Sequence, residues 1–427
     1  MKLPHLLLII FLLGCTRAEA QLHLPTLPVL SGLPRVQMPL LQKPLNDLDN
    51  LAANQLDGLR QRLADARFSA NRRTLTHDSH GELIVRERIL AQPSGDAARQ
   101  RLLAEPGVSL LETQTLDGLD LEWLILRADP ALLARLRELD PDGTYDLEHI
   151  YLGSGEVGAA QPAASSSAST VSNTVNPTNP TSALRIGLID SGIDARHAAL
   201  KRAALTRFGC HGEIHPAAHG TAVASLLVGQ DRDFQGALPG AQLLAADVYC
   251  DAPEGGAVPA LAQALAWLAR EHVGVVNVSL VGPANALLER AVAAAQARGM
   301  QIVAAVGNDG PSAPPLYPAA FPGVIGVTAV DTRRRVLPEA ARGAQVVFAA
   351  PGSEMRGAAM GGGYAESRGT SFAAPLVAGL LAAARAQAAS GSAAFEQVRT
   401  QAIDLGAPGR DPIYGWGLVG EALRSAY

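Results

Sequence analysis

The spacing of hydrophobic positions divides the 427-residue chain into stretches of different texture. An apolar run over 6–13 follows a single charge at Lys2 and gives way to small and polar residues. It is too short for a helical membrane span, which needs ~20 apolar residues, so the start reads as an export signal over 1–20. Residues 22–44 mix prolines with leucines without a sustained period, predicting an extended arm. Leu48, Ala52, Leu56, Leu59 and Leu63 then recur at helical spacing, which predicts one amphipathic helix over 47–67 inside an N-terminal extension, 21–80.

The pattern next becomes more regular. Alternation over 83–91 predicts a strand, and Ser94-Gly95-Asp96 opens a short helix that Glu105-Pro106-Gly107 ends. Apolar runs at 108–115 and 119–127 flank a Leu116-Asp117-Gly118 turn and so form a hairpin. Asp129-Pro130 begins a second helix, Asp140-Pro141-Asp142-Gly143 stops it, and a strand over 144–152 closes the set. The order βαββαβ predicts a small α+β, ferredoxin-like unit over 81–152. From 153 to 183 the chain turns to Ala, Ser, Thr, Asn and Pro, the composition of a flexible linker with an end-to-end distance of roughly 30 Å. Over 184–427, β-branched runs at 185–189, 243–249, 273–280, 301–306 and 324–330 alternate with Ala-rich helical stretches. That alternation predicts an α/β domain with a doubly wound, mainly parallel sheet.

Composition narrows the function. With 48% hydrophobic and 18% charged residues the chain can bury a sizeable core, which excludes wholesale disorder. A net charge of −5 leaves no electrostatic footprint for a phosphate backbone, so nucleic acid is not an expected partner. Three cysteines exclude a disulfide-dense miniprotein. Two processing sites compete in the signal: Ala18-Glu19-Ala20 has the small-x-small form of ordinary cleavage, and Leu12-Leu13-Gly14-Cys15 resembles a lipobox whose cysteine is lipidated. Both predict an extracytoplasmic protein, in the periplasm, at the outer membrane or secreted, that reaches a membrane only through a lipid on Cys15. Cys210 and Cys250 then sit in an oxidising compartment, where a disulfide between them is expected against the alternative of two buried free thiols.

Three segments of the last domain place polar residues where an α/β sheet presents functional groups, at strand ends and helix starts. An apolar strand ends in Asp190-Ser191-Gly192, His219 opens an apolar helix, and Ser371 stands within Gly369-Thr370-Ser371-Phe372-Ala373-Ala374-Pro375. A serine hydroxyl needs an adjacent imidazole to take its proton, and a carboxylate to orient that imidazole. Gly307-Asn308-Asp309-Gly310, just after a strand, offers a side-chain amide for an oxyanion.

At these residues the chain resembles the subtilisin family of serine proteases, in which Asp, His and Ser occur in this order. The resemblance covers about 184–427 and includes Ala350-Pro351-Gly352 and the closing Tyr414-Gly415-Trp416-Gly417. It implies that Asp190 orients, His219 is general base and acid, and Ser371 is the nucleophile. Asn308 and the Ser371 N–H would form the oxyanion hole, and Ser279, Leu280, Val281 and Gly282 the strand that pairs with substrate. Val281 and Leu316 are bulkier than the family's usual residues, which predicts a narrowed pocket for the acyl-side residue. The upstream unit is similar in element order to the family's propeptides, which chaperone and inhibit the enzyme and are removed by it, here within 153–184.

A peptide or protein substrate and the chain's own prodomain are thus the implied partners, with no cofactor required. Calcium, common in the family after the His helix, gains no support from the short loop at 230–236. Two other readings stand beside this one. A pseudoprotease would bind peptides without cutting them, and Cys210, His211, His215 and His219 have the spacing of zinc ligands.

Overall fold

The structure, a computed structural model, describes residues 58–159 and 184–424. The expected signal, Cys15, the proline-containing arm, the helix positions before 58 and most of the linker lie outside the described residues.

The N-terminal unit begins with helix α1 (Leu59–Ala70) and strand β1 (Leu75–His77), which pairs with the start of β2 (Leu83–Gln92). Helix α2 (Asp96–Ala104), the hairpin β3 (Ser109–Leu116) and β4 (Leu121–Arg127), helix α3 (Leu133–Leu139) and β5 (Thr144–His149) follow. Asp129 starts the second helical segment as expected: its carboxylate accepts the Ala131 N–H at 2.9 Å, with Pro130 in the first turn. The strands are antiparallel and run β5-β2-β4-β3, so the four expected strands and two helices form one layered unit, which β1 extends.

Period-two alternation gives this sheet two apolar faces. Ile89, Ala91, Leu124, Leu126, Tyr145 and Leu147 pack on Leu102 and Leu136 of the unit's own helices. Leu90, Trp123 and Ile125, one residue out of phase, join a core with the second domain. The Gly118 turn lies so close to a helix of that domain that a Cβ there would sit 1.9 Å from the Ala266 carbonyl oxygen, so only glycine fits. After β5 the chain leaves the sheet and forms two short strands, β6 (Leu152–Gly153) and β7 (Glu156–Val157), on the second domain. The stretch expected to be linker from 153 is therefore extended and paired through 158.

The second domain is built on a seven-stranded parallel sheet with the order β17-β16-β15-β13-β8-β12-β9. These are β8 (Arg185–Asp190), β9 (Ala204–Phe208), β12 (Gln242–Asp247), β13 (Val275–Val278), β15 (Gln301–Ala305), β16 (Ile325–Val330) and β17 (Val346–Pro351). Smaller pieces are the hairpin β10 (Gln230–Asp231) and β11 (Phe234–Gln235), the short β14 (Leu280–Val281), and the pair β18 (Met355–Ala358) and β19 (Tyr364–Arg368). The helices are α4 (Ala218–Val228), α5 (Val258–Arg270), α6 (Ala286–Ala297), α7 (Thr370–Arg385) and α8 (Gly391–Arg399). Core residues on both sides of the sheet are mainly Ala, Val, Leu and Ile, as a parallel sheet covered on both faces requires. The β17 and β9 edges, the latter with no fully buried residue, were not among the expected strands.

Candidate active site

Asp190 ends β8, Ser279 follows the neighbouring β13, and Asn308 follows β15, so three adjacent parallel strands deliver them to one end of the sheet. His219 and Ser371 are each the second residue of a helix, α4 and α7. Asp190 is fully buried, and its Oδ1 lies 2.8 Å from His219 Nδ1 while accepting the Ser191 N–H at 2.7 Å. His219 Nε2 is buried and has no hydrogen-bond partner.

Local chemistry explains the Ser371 backbone. Pro375 lies inside α7 and cannot donate to the carbonyl one turn earlier, which is that of Ser371. That carbonyl instead accepts the Ser279 hydroxyl at 3.0 Å, and Asn277 Nδ2 donates to Ser279 Oγ at 2.9 Å. The Ser371 hydroxyl donates to the Ser279 carbonyl at 3.1 Å and lies 2.7 Å from Ser154 Oγ.

Ser154 belongs to the tail of the N-terminal unit. Its carbonyl oxygen accepts Asn308 Nδ2 at 2.7 Å and the Ser371 N–H at 3.2 Å. Asn308 is held in turn by its Oδ1, which accepts the Thr370 N–H at 3.1 Å. Two donors on one carbonyl oxygen, next to a serine hydroxyl, form the arrangement that stabilises a tetrahedral oxyanion.

On one side of Ser154, β6 pairs antiparallel with β14, Gly153 opposite Leu280 and Leu152 opposite Val281. Gly153 lies on the imidazole, where a Cβ would stand 3.3 Å from His219 Cδ2. Tyr151, also buried, donates its hydroxyl to the Pro283 carbonyl, and its own carbonyl accepts the Tyr249 hydroxyl at 2.8 Å. On the other side β7 pairs with β19, and the Gly158 N–H reaches the Glu366 carbonyl at 2.8 Å. One extended segment thus runs through the cleft, with the Ser154–Gly155 peptide bond at the hydroxyl of Ser371.

The model of the Subtilase family matches residues 181–417. The chain belongs to the subtilase family. That family is one of serine endopeptidases. Minor extracellular protease Epr of Bacillus subtilis is 31% identical over 255 residues, spanning 57% of this subtilase but only 39% of Epr. Subtilisin DY of Bacillus licheniformis is 33% identical over 208 residues, 47% of this chain and 75% of that protein. Fervidolysin of Fervidobacterium pennivorans, a keratinolytic enzyme related to subtilisin, superposes with a TM-score of 0.67 at 19% identity. This likeness in fold covers 82% of this chain and 62% of fervidolysin, and so extends beyond the family segment.

Of the residues that sequence reasoning picked out, Asp190, His219, Ser371, Asn308, Ser279 and Leu280 converge on this cleft. Val281 is buried opposite Leu152, and Gly282 is bridged to Tyr317 by hydrogen bonds of 2.9 Å in both directions. Leu316 packs against the turn that carries Asn308: a Cβ on Gly307 would stand 2.5 Å from its Cδ1. Cys210 and Cys250 form the expected disulfide with Cα atoms 5.0 Å apart, so Cys210 is not a thiolate that could hold zinc with His211 and His215.

Other residues of the cleft carry no sequence signal that would have singled them out. Helix α1 contributes Arg60, whose guanidinium bonds Asp309 at 2.6 Å and Glu82 at 2.6 and 3.2 Å. About two turns along, Arg67 donates to the Ala252 carbonyl at 2.8 Å and covers the Tyr249 ring. The helix thus spans the cleft over β6. Leu63 and Arg67 share a cavity of about 800 Å³ with His219, Asp190 and Leu280. Burial raises the Asp247 carboxyl on the wall of that cavity above its ordinary range.

Proposed function

We propose that this subtilase is the precursor of an exported serine endopeptidase that cuts its own Ser154–Gly155 bond and then carries residues 58–154 as an inhibitor across its cleft. The observation that carries the reading is the Ser154 carbonyl oxygen, held by Asn308 Nδ2 and the Ser371 N–H with the Ser371 hydroxyl beside it.

In this reading the Ser371 hydroxyl turns from the Ser279 carbonyl to His219, whose Nε2 is free to receive its proton. Oγ bonds to the Ser154 carbonyl carbon, and the displaced electron pair moves to the oxygen between the two donors. Asp190 keeps Nδ1 protonated and steadies the imidazolium. Collapse breaks the carbon–nitrogen bond, and His219 returns the proton to the departing Gly155 amine. Water then attacks the ester by the same path, leaving a Ser154 carboxylate and free Ser371. No step calls for an organic cofactor. Peptides and proteins presented as extended strands to β14 and β19 are the substrates in trans.

Export follows from the apolar run at 6–13, and the small Ser154 on the acyl side of the cut favours small residues there. Among the described residues no helix is long and apolar enough to cross a membrane. The test is expression of the intact chain and of Ser371→Ala. Wild type should yield a mature N-terminus at Gly155 by intact mass and end-group sequencing, and once residues 58–154 are released it should react with a fluorophosphonate. Ser371→Ala should remain uncut. A processed Ser371→Ala chain or a mature end elsewhere would overturn the self-cleavage, and wild type that neither labels nor cuts would be a peptide-binding pseudoprotease.

A further inference from the structure

Gly155, the residue whose amine leaves, sits in a gap with no room for a side chain. A Cβ built on it would lie 2.5 Å from Phe372 Cε2, 3.2 Å from Phe372 Cδ2 and 3.2 Å from the Arg368 carbonyl oxygen. Unstrained carbon contacts fall near 3.5–4.0 Å. Below the gap the backbone is equally close, since a Cβ on Gly369 would stand 2.9 Å from the Gly155 Cα.

Neither wall can retreat freely. Phe372 follows the nucleophile on α7 and is fully buried, in the core cluster that contains Leu376 and Val377. Its ring lies tilted on the His219 ring, centroids 5.4 Å apart, so a swing toward the cleft disturbs the imidazole. The opposite wall is backbone at the end of β19. The substrate strand cannot lift away from it without breaking the pairing of Glu156 and Val157 with that strand. The acyl-side neighbour is less confined, because a Cβ on Gly153 would meet His219 only at 3.3 Å.

We propose that Phe372 makes this enzyme selective for glycine on the amine side of the bond it cuts. The inference rests on the self-cleavage reading and names the chemistry of its substrates: flexible segments with glycine after the cut. Selectivity of this kind acts on formation of the acyl-enzyme, before the amine has left.

The experiment uses the processed protein after its cleaved N-terminal unit has been released, with active sites counted by fluorophosphonate labelling, and peptides Tyr-Leu-Gly-Ser-Xaa-Glu-Val-Gly in which Xaa is Gly, Ala or Leu. Wild type should cut the glycine peptide about 10-fold to 100-fold faster in kcat/KM than the alanine peptide, the range expected for forcing a methyl into a packed wall. Leucine should be worse. In Phe372→Leu and Phe372→Ala the alanine-to-glycine ratio should rise toward one. Being a ratio within one enzyme, it does not depend on how much of each variant folds. In the precursor, Gly155→Ala should slow self-processing, and adding Phe372→Leu should restore it.

Equal rates on the three peptides in wild type would overturn the inference, as would a ratio unmoved in both Phe372 variants or labelled enzyme that leaves the glycine peptide intact. Absence of labelling would instead overturn the protease reading itself.

Discussion

If residues 58–154 stay docked after the proposed cut, Glu148 gives that complex a built-in dependence on pH. It lies on β5 between Leu147 and His149, on the face turned to the protease, where the neighbouring Asp146 carboxylate accepts the Ala286 N–H at the start of α6. Burial pushes its carboxyl up to about 7; Arg88 opposes this, and Glu254 and Glu112 add to it. Glu254 belongs to the protease domain, so undocking removes it together with much of the burial and returns Glu148 toward its ordinary 4.5. The docked form therefore binds the extra proton. Below about pH 4.5 both forms are protonated and Glu148 costs nothing; the cost of docking grows as pH rises and levels off above about 7. At the plateau, 2.5 pKa units correspond to about 3 kcal/mol. Between pH 5 and 8 the dissociation constant of the cleaved unit should rise roughly 70-fold through this one group.

The assay follows activity recovered after the processed complex is diluted into buffers from pH 5 to 8, with substrate in excess. Glu148→Gln has no proton to lose and should flatten the profile, holding the unit tightly at pH 8. His149, bonded to Asn285 and Asp78, is left in place by that substitution, so any slope that survives belongs to other groups. An unchanged slope in Glu148→Gln would refute the argument.

Three further outcomes follow from the cleft. Asn308→Ala should lower kcat by ~10²–10³, the loss measured for the corresponding donor in subtilisin, with KM little changed; a loss under threefold would remove Asn308 from the oxyanion site. Arg60→Ala leaves Glu82 and Asp309 without their shared cation and should speed release of the cleaved unit about 10-fold or more, read as a shorter delay before activity appears. Leu316→Gly should move acyl-side preference from serine and alanine toward larger residues in a matched peptide series, and an unaltered preference would place Leu316 outside that pocket.

The second domain was largely legible in the sequence because most of its strands are continuous β-branched runs and its candidate reactive groups sit in short segments with tightly constrained backbones. Gly369-Thr370-Ser371 is readable since glycine is needed where the backbone approaches Asn308 and the substrate strand. β9 escaped notice because an edge strand, Ala-Leu-Thr-Arg-Phe, carries no apolar run. The junction escaped for a deeper reason. Leu-Gly-Ser-Gly reads as loop by local propensity, and it becomes extended only because β14 and β19 supply hydrogen-bonding partners far away in the sequence. The periodicity put Leu59 and Leu63 on the apolar face of α1, but Leu63 is exposed and Ala64 is the residue the helix buries, and nothing in the helix announces that Arg60 and Arg67 reach opposite banks of a cleft.

Both faces of the N-terminal sheet carry buried apolar side chains. Once undocked it bares Leu90, Trp123 and Ile125, while the protease bares the part of α5 around Leu261 and Leu265 that shares their cluster. A released unit with such a patch tends to aggregate or to open for digestion. Each fate drains the pool of free inhibitor, so mass action keeps it from returning. On the proposed self-cleavage and inhibition, the first molecule to lose its N-terminal unit would digest those of its neighbours, and a population of precursors should stay silent through a lag and then ignite. The length of that lag should shorten as total protein concentration rises, unlike the first-order cut that precedes it.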